Sequence, residues 1–563
     1  MKPAYASTTI VVPDDFPTIQ EAVNSAAEGS TISVRPGVYN ESITISTSQL
    51  KIMGNSADST VITGPGSSHT VQLARGANNI TVSGFTIEGT NEGPWSGIHI
   101  RSLYNTIENN IVTGHHYGIH IYDSIFNTLS NNSLQENLYN LAVWGLYLPH
   151  FIHDIDTSNQ IEGKPVYYVT SQTNTAYVQS SIGYLALVNC SNISAEDLEL
   201  SDNQCGLLLA YTDNCTISRA KAAHNEYGLY MVCSNRNVIT QSEFNNNSWG
   251  TVTISVSNNT FASNTISGNK NDGIRLSHSY PLLSKYSEQN KIASNNISAN
   301  GNGVYLEASQ TNTVNGNMVN SNLQDGIVLD ESTQNTVSGN TVWNNSRGVR
   351  IYTSSSNILY NNNFINNTVQ ADIYPFTTSA NNWNKNYPSG GNFWTDHEGK
   401  DTRRGPHQNL TGPDAIGDTA YTIDQDNQDS YPLMGVFSSF NVTSELQIQT
   451  ICNSTITGFD FNGTAIILNV ESGDTASGFC RVCIPQHVIN GSYRVFINNT
   501  EITHDLLPWL SNTDSHLYFI YNHSSQVVVI IPEVQGLVIF PLLLGGTLII
   551  AMLDRTWKKR KAR

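Results

Sequence analysis

The feature that most limits what this chain can fold into is a glycine that keeps returning. It stands at Gly97, Gly118, Gly206, Gly228, Gly250, Gly273, Gly303, Gly326 and Gly348. Most intervals are about 21 to 23 residues, and the longer step from Gly273 to Gly303 holds an insertion around Ser279–Gln289. A short apolar strand follows each glycine, from Ile98-His99-Ile100 and Ile119-His120-Ile121 to Val349-Arg350-Ile351. An Asn precedes the next strand at Asn105, Asn127, Asn214, Asn237, Asn259, Asn290, Asn312, Asn335 and Asn357. A second series runs Asn110, Asn132, Asn264, Asn296, Asn317, Asn340 and Asn363. A unit this short cannot bury its own apolar face, but stacked copies can. Three short strands per turn with Asn or Gly at the corners describe a right-handed parallel β-helix, because Asn tolerates the left-handed corner conformation. Stacked Asn side chains can also hydrogen-bond along the column.

Parallel strands lie about 4.8 Å apart, so residues one repeat apart are neighbours. Side chains alternate along a strand. If Ile98 and Ile100 point inward, His99 and Arg101 point outward, with His120 and Tyr122 one rung above them. The histidine pair then follows from the repeat and reads as two surface histidines in register; a metal site needs more ligands, since a zinc site usually has at least three from protein. The outward stripe continues through Tyr230, Arg275, Tyr305 with Glu307, Asp330, and Arg350 with Tyr352. Tyr beside Arg and carboxylates suits the stacking and hydrogen bonding of sugar rings. His99, Arg101, His120, Tyr122, Tyr230, Arg275, Tyr305 and Tyr352 are therefore the candidate carbohydrate contacts. Glu307, Asp330 and Arg350 fall on three successive rungs. Two neighbouring carboxylates could serve glycoside cleavage, or Asp330 and Arg350 could form a plain surface pair.

The stack needs ends. The segment from Asp14, Asp15 and Pro17 carries helix start signals, and Ile19, Ala22, Val23 and Ala26 keep helical spacing, so a capping helix is expected. Residues 150–182 break the period and read as an excursion from one rung. Alternation and short turns between 440 and 531 predict a β-sandwich. An apolar run, Leu537 to Leu553, precedes the basic residues Arg555, Lys558, Lys559, Arg560, Lys561 and Arg563. That is long enough to cross a bilayer, with the basic side in the cytoplasm. The expected organisation is all-β: residues 7–70 form the cap and first rungs, 71–435 the β-helix, and 436–531 the sandwich. A single transmembrane helix (537–553) and a cytoplasmic tail (554–563) follow.

On this reading the bulk of the chain faces the outside of the cell. About twenty Asn-x-Ser/Thr sites, among them Asn40, Asn79 and Asn441, fit a glycosylated surface. Residues 1–7 hold no apolar signal region, yet Ala4-Tyr5-Ala6 has the form of a cleavage site, so the given start is expected to be internal. The formal net charge of -18 disfavours nucleic acid as a partner. No cofactor is required. Asp414, Asp418, Asp424 and Asp426, with Asp396, Asp401 and Asp429, offer oxygen ligands that suit calcium, or else serve as turn formers. Cys480-x-x-Cys483 has no second CxxC to complete a zinc site. On a strand its two thiols point to opposite faces, so they are expected to be structural. Cys190, Cys205, Cys215 and Cys233 are expected to pack as small apolar groups, with a disulfide among them as the alternative.

Three stretches carry a resemblance. The opening from Val12 to Ile45 resembles the start of pectin-lyase-like β-helix proteins. The rungs, Asn159–Val169 and the segment from Gly390 to Met434 resemble the NosD-like family of periplasmic copper-binding β-helix proteins. Together these cover about residues 9–434. The segment after 440, with Pro532-Glu533, the apolar run and the basic tail, looks like the C-terminal part of archaeal surface proteins. The resemblance implies a surface-anchored NosD-like β-helix protein. Copper chemistry does not follow, because six Met lie outside any Met-rich motif and the histidines are scattered. Motifs of pectin methylesterases are absent, and Ala415 stands where relatives carry Gly in an Asp-Gly-Ile-Gly-Asp loop. The expected role is glycan binding or envelope structure. A polysaccharide hydrolase or lyase on the stripe is the first alternative, and a metal accessory protein the second.

Overall fold

The computed structural model describes residues 8–533, except 91, 179–180, 280–285, 375–379, 444, 472–476, 508–512 and 523–524. The expected membrane helix and basic tail lie outside the described residues. Among the described residues, no helix is long and apolar enough to cross a membrane. Two compact units are present: residues 1–400 with 416–433, and residues 401–415 with those from 434 on.

The first unit is a parallel β-helix built as two coils. Its N-terminus is closed by the helix Ile19–Ser25, whose Ile19, Ala22 and Val23 are buried. Thr18 caps this helix through the Glu21 amide, and the Glu41 carboxylate takes the amides of Ile19 and Gln20 at 2.9 and 2.8 Å. Negative charge at exposed first-turn amides is stabilising. Asp14 and Asp15 do not cap: Asp14 pairs with Arg35, and Asp15 accepts the Val11 amide. The first coil climbs from Thr9–Val12 to Gln160–Ile161. Its Ile-His-Ile strands stack in register, His99 on His120 and Ile98 on Ile119.

Residues 150–182 are more than an excursion. Gln160–Ile161 pairs antiparallel with Lys164–Thr170 through a tight turn at Glu162 and Gly163, and both turn residues have positive φ. Strand direction therefore reverses there. A second coil then rises in parallel from Lys164–Thr170 to Val369–Ile373. One 16-stranded sheet runs through both coils. The outward residues Ala186, Leu208, Ala210, Tyr230 and Val232 of the second coil are buried in the same apolar cluster as the interior of the first. The outer face of the second coil's early rungs thus closes the far end of the first coil, which explains its aliphatic composition there.

Buried Asn ladders hold the second coil. In one, Asn237, Asn259, Asn290, Asn312, Asn335 and Asn357 each accept from the residue below through Oδ1. Cys215, not the exposed Asn214, heads this column. The second column uses Asn295 and Asn362 where the sequence reading placed Asn296 and Asn363. A third column, Asn225, Asn247, Asn269, Asn300, Asn322, Asn345 and Asn367, was not anticipated. These amides satisfy corner groups that burial would otherwise leave unpaired. The recurring glycine has a steric cause: a Cβ on Gly303 would stand 2.4 Å from the Gly326 carbonyl oxygen. Trp383 and Trp394 cover the top, where Asp429 ends the second column. It accepts from the Asn392 amide at 2.7 Å and Trp394 Nε1 at 3.0 Å.

The second unit holds two five-stranded antiparallel sheets. Their inward residues, among them Ile448, Val482 and Phe519 from one sheet and Leu468, Val495 and Ile530 from the other, share one core. Cys452 and Cys480 are register partners and form a disulfide; Cys483 and the four rung cysteines are in no disulfide among the described residues.

Candidate glycan-binding face

The outward stripe divides into three environments. On the first coil His99 is buried, 7% exposed. His69 stacks on it at 4.1 Å and 5°, and His120 meets it edge-on at 5.0 Å. It points out of the coil as expected, but its neighbours one rung away cover it. Burial pushes His99 down to about 3 and His120 to about 4, so both are neutral imidazoles. His69 escaped the sequence reading because it precedes the first glycine of the series. Arg101 lies over the Tyr122 ring at 5.5 Å.

The middle of the stripe is the covered part. Tyr230 is fully buried and packs against Trp144 at 5.4 Å, so it is not a surface contact. Beside it, Glu226 accepts from Tyr117 Oη at 3.0 Å, and burial raises its carboxyl above the usual range.

From Trp249 onward Arg275, Tyr305, Arg350 and Tyr352 are partly exposed, while Val252 and Val328 between them are buried. Arg275 forms ion pairs with Asp272 at 2.8 Å and Glu307 at 2.9 Å. Its guanidinium lies over Tyr305 at 4.4 Å and Trp249 at 5.7 Å. Tyr305 Oη donates to Asp330 at 2.8 Å. Glu307 and Asp330 are register neighbours, as the sequence predicts. However, Arg350 pairs with Asp372 at 3.2 Å and Asp325 at 3.8 Å instead of joining them. It also lies over Tyr352, which packs on Tyr374. Asp272, Asp325, Arg347 and Asp372 were missed. Asp272, Asp325 and Arg347 each directly precede a repeat glycine, a position the two-residue alternation did not cover.

The acidic residues read as calcium ligands fall in both units. Asp414 belongs to the second unit, where it accepts from the Gly405 amide and Gln408 Nε2. Asp418, Asp424 and Asp426 belong to the first. Asp424 accepts the amides of Asp426 and Asn427, both at 2.8 Å, as a turn former does. Among the described residues, no three His, Cys, Asp or Glu side chains gather as a metal site requires.

Residues 280–399 match the family model of the periplasmic copper-binding protein NosD, and residues 184–333 that of the right-handed β-helix region. No curated protein matches the chain. Similar solved structures include the A-module of the mannuronan C-5 epimerase AlgE4 of Azotobacter vinelandii. That likeness has 14% identity and a TM-score of 0.27, over 64% of this chain and 92% of that one. A mutant of the periplasmic alginate epimerase AlgG is similar at 13% identity and a TM-score of 0.33, over 66% and 84%. The catalytic domain of a GH87 α-1,3-glucanase is similar at 12% identity and a TM-score of 0.29, over 70% of each chain. No residue role is carried over from any of them. The chain is an all-β, right-handed parallel β-solenoid with NosD and β-helix sequence character.

Proposed function

We propose that the partly exposed outer face of the second coil, from Trp249 to Tyr374, binds a carbohydrate chain, and that the protein acts as a glycan-binding or envelope component at the cell surface. One observation carries this reading: Trp249, Arg275, Tyr305 and Tyr352 are fixed on a regular sheet by partners on neighbouring rungs. Rings and ion-paired groups held in place lose little freedom on binding, and amphipathic aromatics suit sugar faces. Glu307 and Asp330 each already have a partner, Arg275 and Tyr305, which favours recognition over cleavage. The Cys452–Cys480 disulfide suits an oxidising compartment, in keeping with display outside the cell. The segment 537–553 would anchor it. A glycan array probed with and without calcium tests the reading. A saturable hit weakened about tenfold or more by Tyr305→Ala is expected. A blank array in both conditions would move the role to envelope structure alone.

A further inference from the structure

Where the two coils join, a cleft of about 310 Å³ is lined by Phe126, Ile152, His153, Asp154, Tyr168 and Thr170, with Asn127 and Ile155 behind them. This is the lower end of the usual range for small-molecule sites. It shares no residue with the outer face discussed above, and its case does not rest on that reading.

The chemistry of the lining is specific. Phe126 is 43% exposed, and its ring is backed by Tyr104 from the rung below, at 5.5 Å and 16°. That leaves a supported apolar platform at the cleft. Two polar groups remain free. Thr170 Oγ1 is buried and has no hydrogen-bond partner. The Asp154 carboxylate is on an exposed residue and makes no hydrogen bond or ion pair with the described residues. A buried hydroxyl without a partner is unfavourable unless something supplies one. The other polar groups of the lining are already engaged. His153 Nδ1 accepts from the Asn127 amide at 3.3 Å, and its Nε2 donates to the His150 carbonyl at 2.9 Å. Tyr168 Oη donates to the Phe151 carbonyl at 2.6 Å. Burial also keeps His153 neutral. The cleft therefore offers one aromatic face, two aliphatic walls, one carboxylate and one hydroxyl, and no cation.

We propose that this cleft binds a single uncharged sugar residue, its C–H face against Phe126 and its hydroxyls on Asp154 and Thr170. A hexose-sized ring has an apolar face and a polar rim, which is the division the lining shows. A uronic acid would bring its carboxylate toward Asp154 with no cation in the lining to offset it. A simple ammonium ion would meet one ring and one carboxylate open to water, a weak version of an aromatic cage.

The test is ligand-observed NMR and calorimetry on the whole protein, with methyl glucoside, methyl galactoside, N-acetylglucosamine, glucuronate and choline as probes. Saturable binding of at least one neutral sugar is expected, and it should weaken about tenfold in Phe126→Ala. Thr170→Val should weaken it less. Glucuronate should bind worse than its neutral counterpart and recover in Asp154→Asn, a surface change that leaves the fold intact. Tyr305→Ala should leave the Phe126-dependent binding unchanged, which separates this site from the outer face. The proposal is overturned if no neutral sugar saturates, if binding is indifferent to both Phe126→Ala and Asp154→Asn, if glucuronate binds as tightly as glucose, or if choline alone binds.

Discussion

The two coils solve the same problem with different side chains. Each must pair the buried polar groups at its corners. The second coil does so with long uninterrupted Asn columns. In the first coil one column is all Asn, through Asn110, Asn132 and Asn159, but the other two include an imidazole: His153 accepts the Asn127 amide, and His115 takes the place of an Asn below Asn137. The outer faces diverge in the same way. The first coil stacks neutral histidines, His69, His99 and His120, while the partly exposed stretch of the second is a lattice of ion pairs around Arg275, Arg347 and Arg350. An amide keeps its hydrogen-bonding character at every pH, whereas an imidazole does so only while neutral.

The largest expected effect is therefore acid lability in the first coil and not in the second. Burial holds His99 down to about 3 and His115 and His153 to about 4, below the ordinary histidine range. In the unfolded chain they protonate near 6.5. A lowered folded-state value means that stability is fully present above about 6.5 and is lost as pH falls toward the folded values. At pH 5 the loss is roughly 2 kcal/mol for each of these three groups. Among the described residues the second coil has no buried histidine. Hydrogen exchange between pH 7 and 5 should show the first coil opening while strands such as Val304–Glu307 stay protected. Equal opening of both coils would break the comparison.

Interrupting a second-coil column comes next. Asn312 accepts two hydrogen bonds from Asn290 and donates to the Ser287 carbonyl and to Asn335. Asn312→Ala leaves several buried groups unpaired, and a cost of about 3 kcal/mol or more in urea denaturation is expected. Gly303→Ala forces a Cβ against the Gly326 carbonyl oxygen, with an expected loss of about 1–3 kcal/mol. The smallest effect on stability belongs to the outer lattice. Glu307→Gln removes one partly exposed ion pair and should cost less than about 1 kcal/mol by thermal melting.

Much of this fold was legible because a stacked repeat writes its period into the sequence. The aliphatic strands and the adjacency of Glu307 and Asp330 follow from that period alone, and the cap helix from its own helical spacing. What it does not encode is which of two adjacent residues faces inward. Asn-Asn pairs left Asn295 and Asn362 indistinguishable from Asn296 and Asn363. The third column was readable in principle, since Asn225, Asn247, Asn300 and Asn345 each precede a glycine by three residues. The reversal at Glu162-Gly163 was hidden because a two-residue turn leaves almost no compositional trace. Tyr230 looked like a surface aromatic because what covers it comes from a distant part of the chain. The partners of Arg275 and Arg350 were hidden for a related reason: alternation gives the direction of a side chain but not its reach.

The most direct measurement of the central claim is calorimetric titration of the wild-type protein, Tyr305→Ala and Tyr122→Ala with the glycan that the array identifies. Binding should fall about tenfold or more in Tyr305→Ala and stay unchanged in Tyr122→Ala, which places recognition on the second coil. Unchanged binding in Tyr305→Ala, or loss in Tyr122→Ala alone, would contradict it.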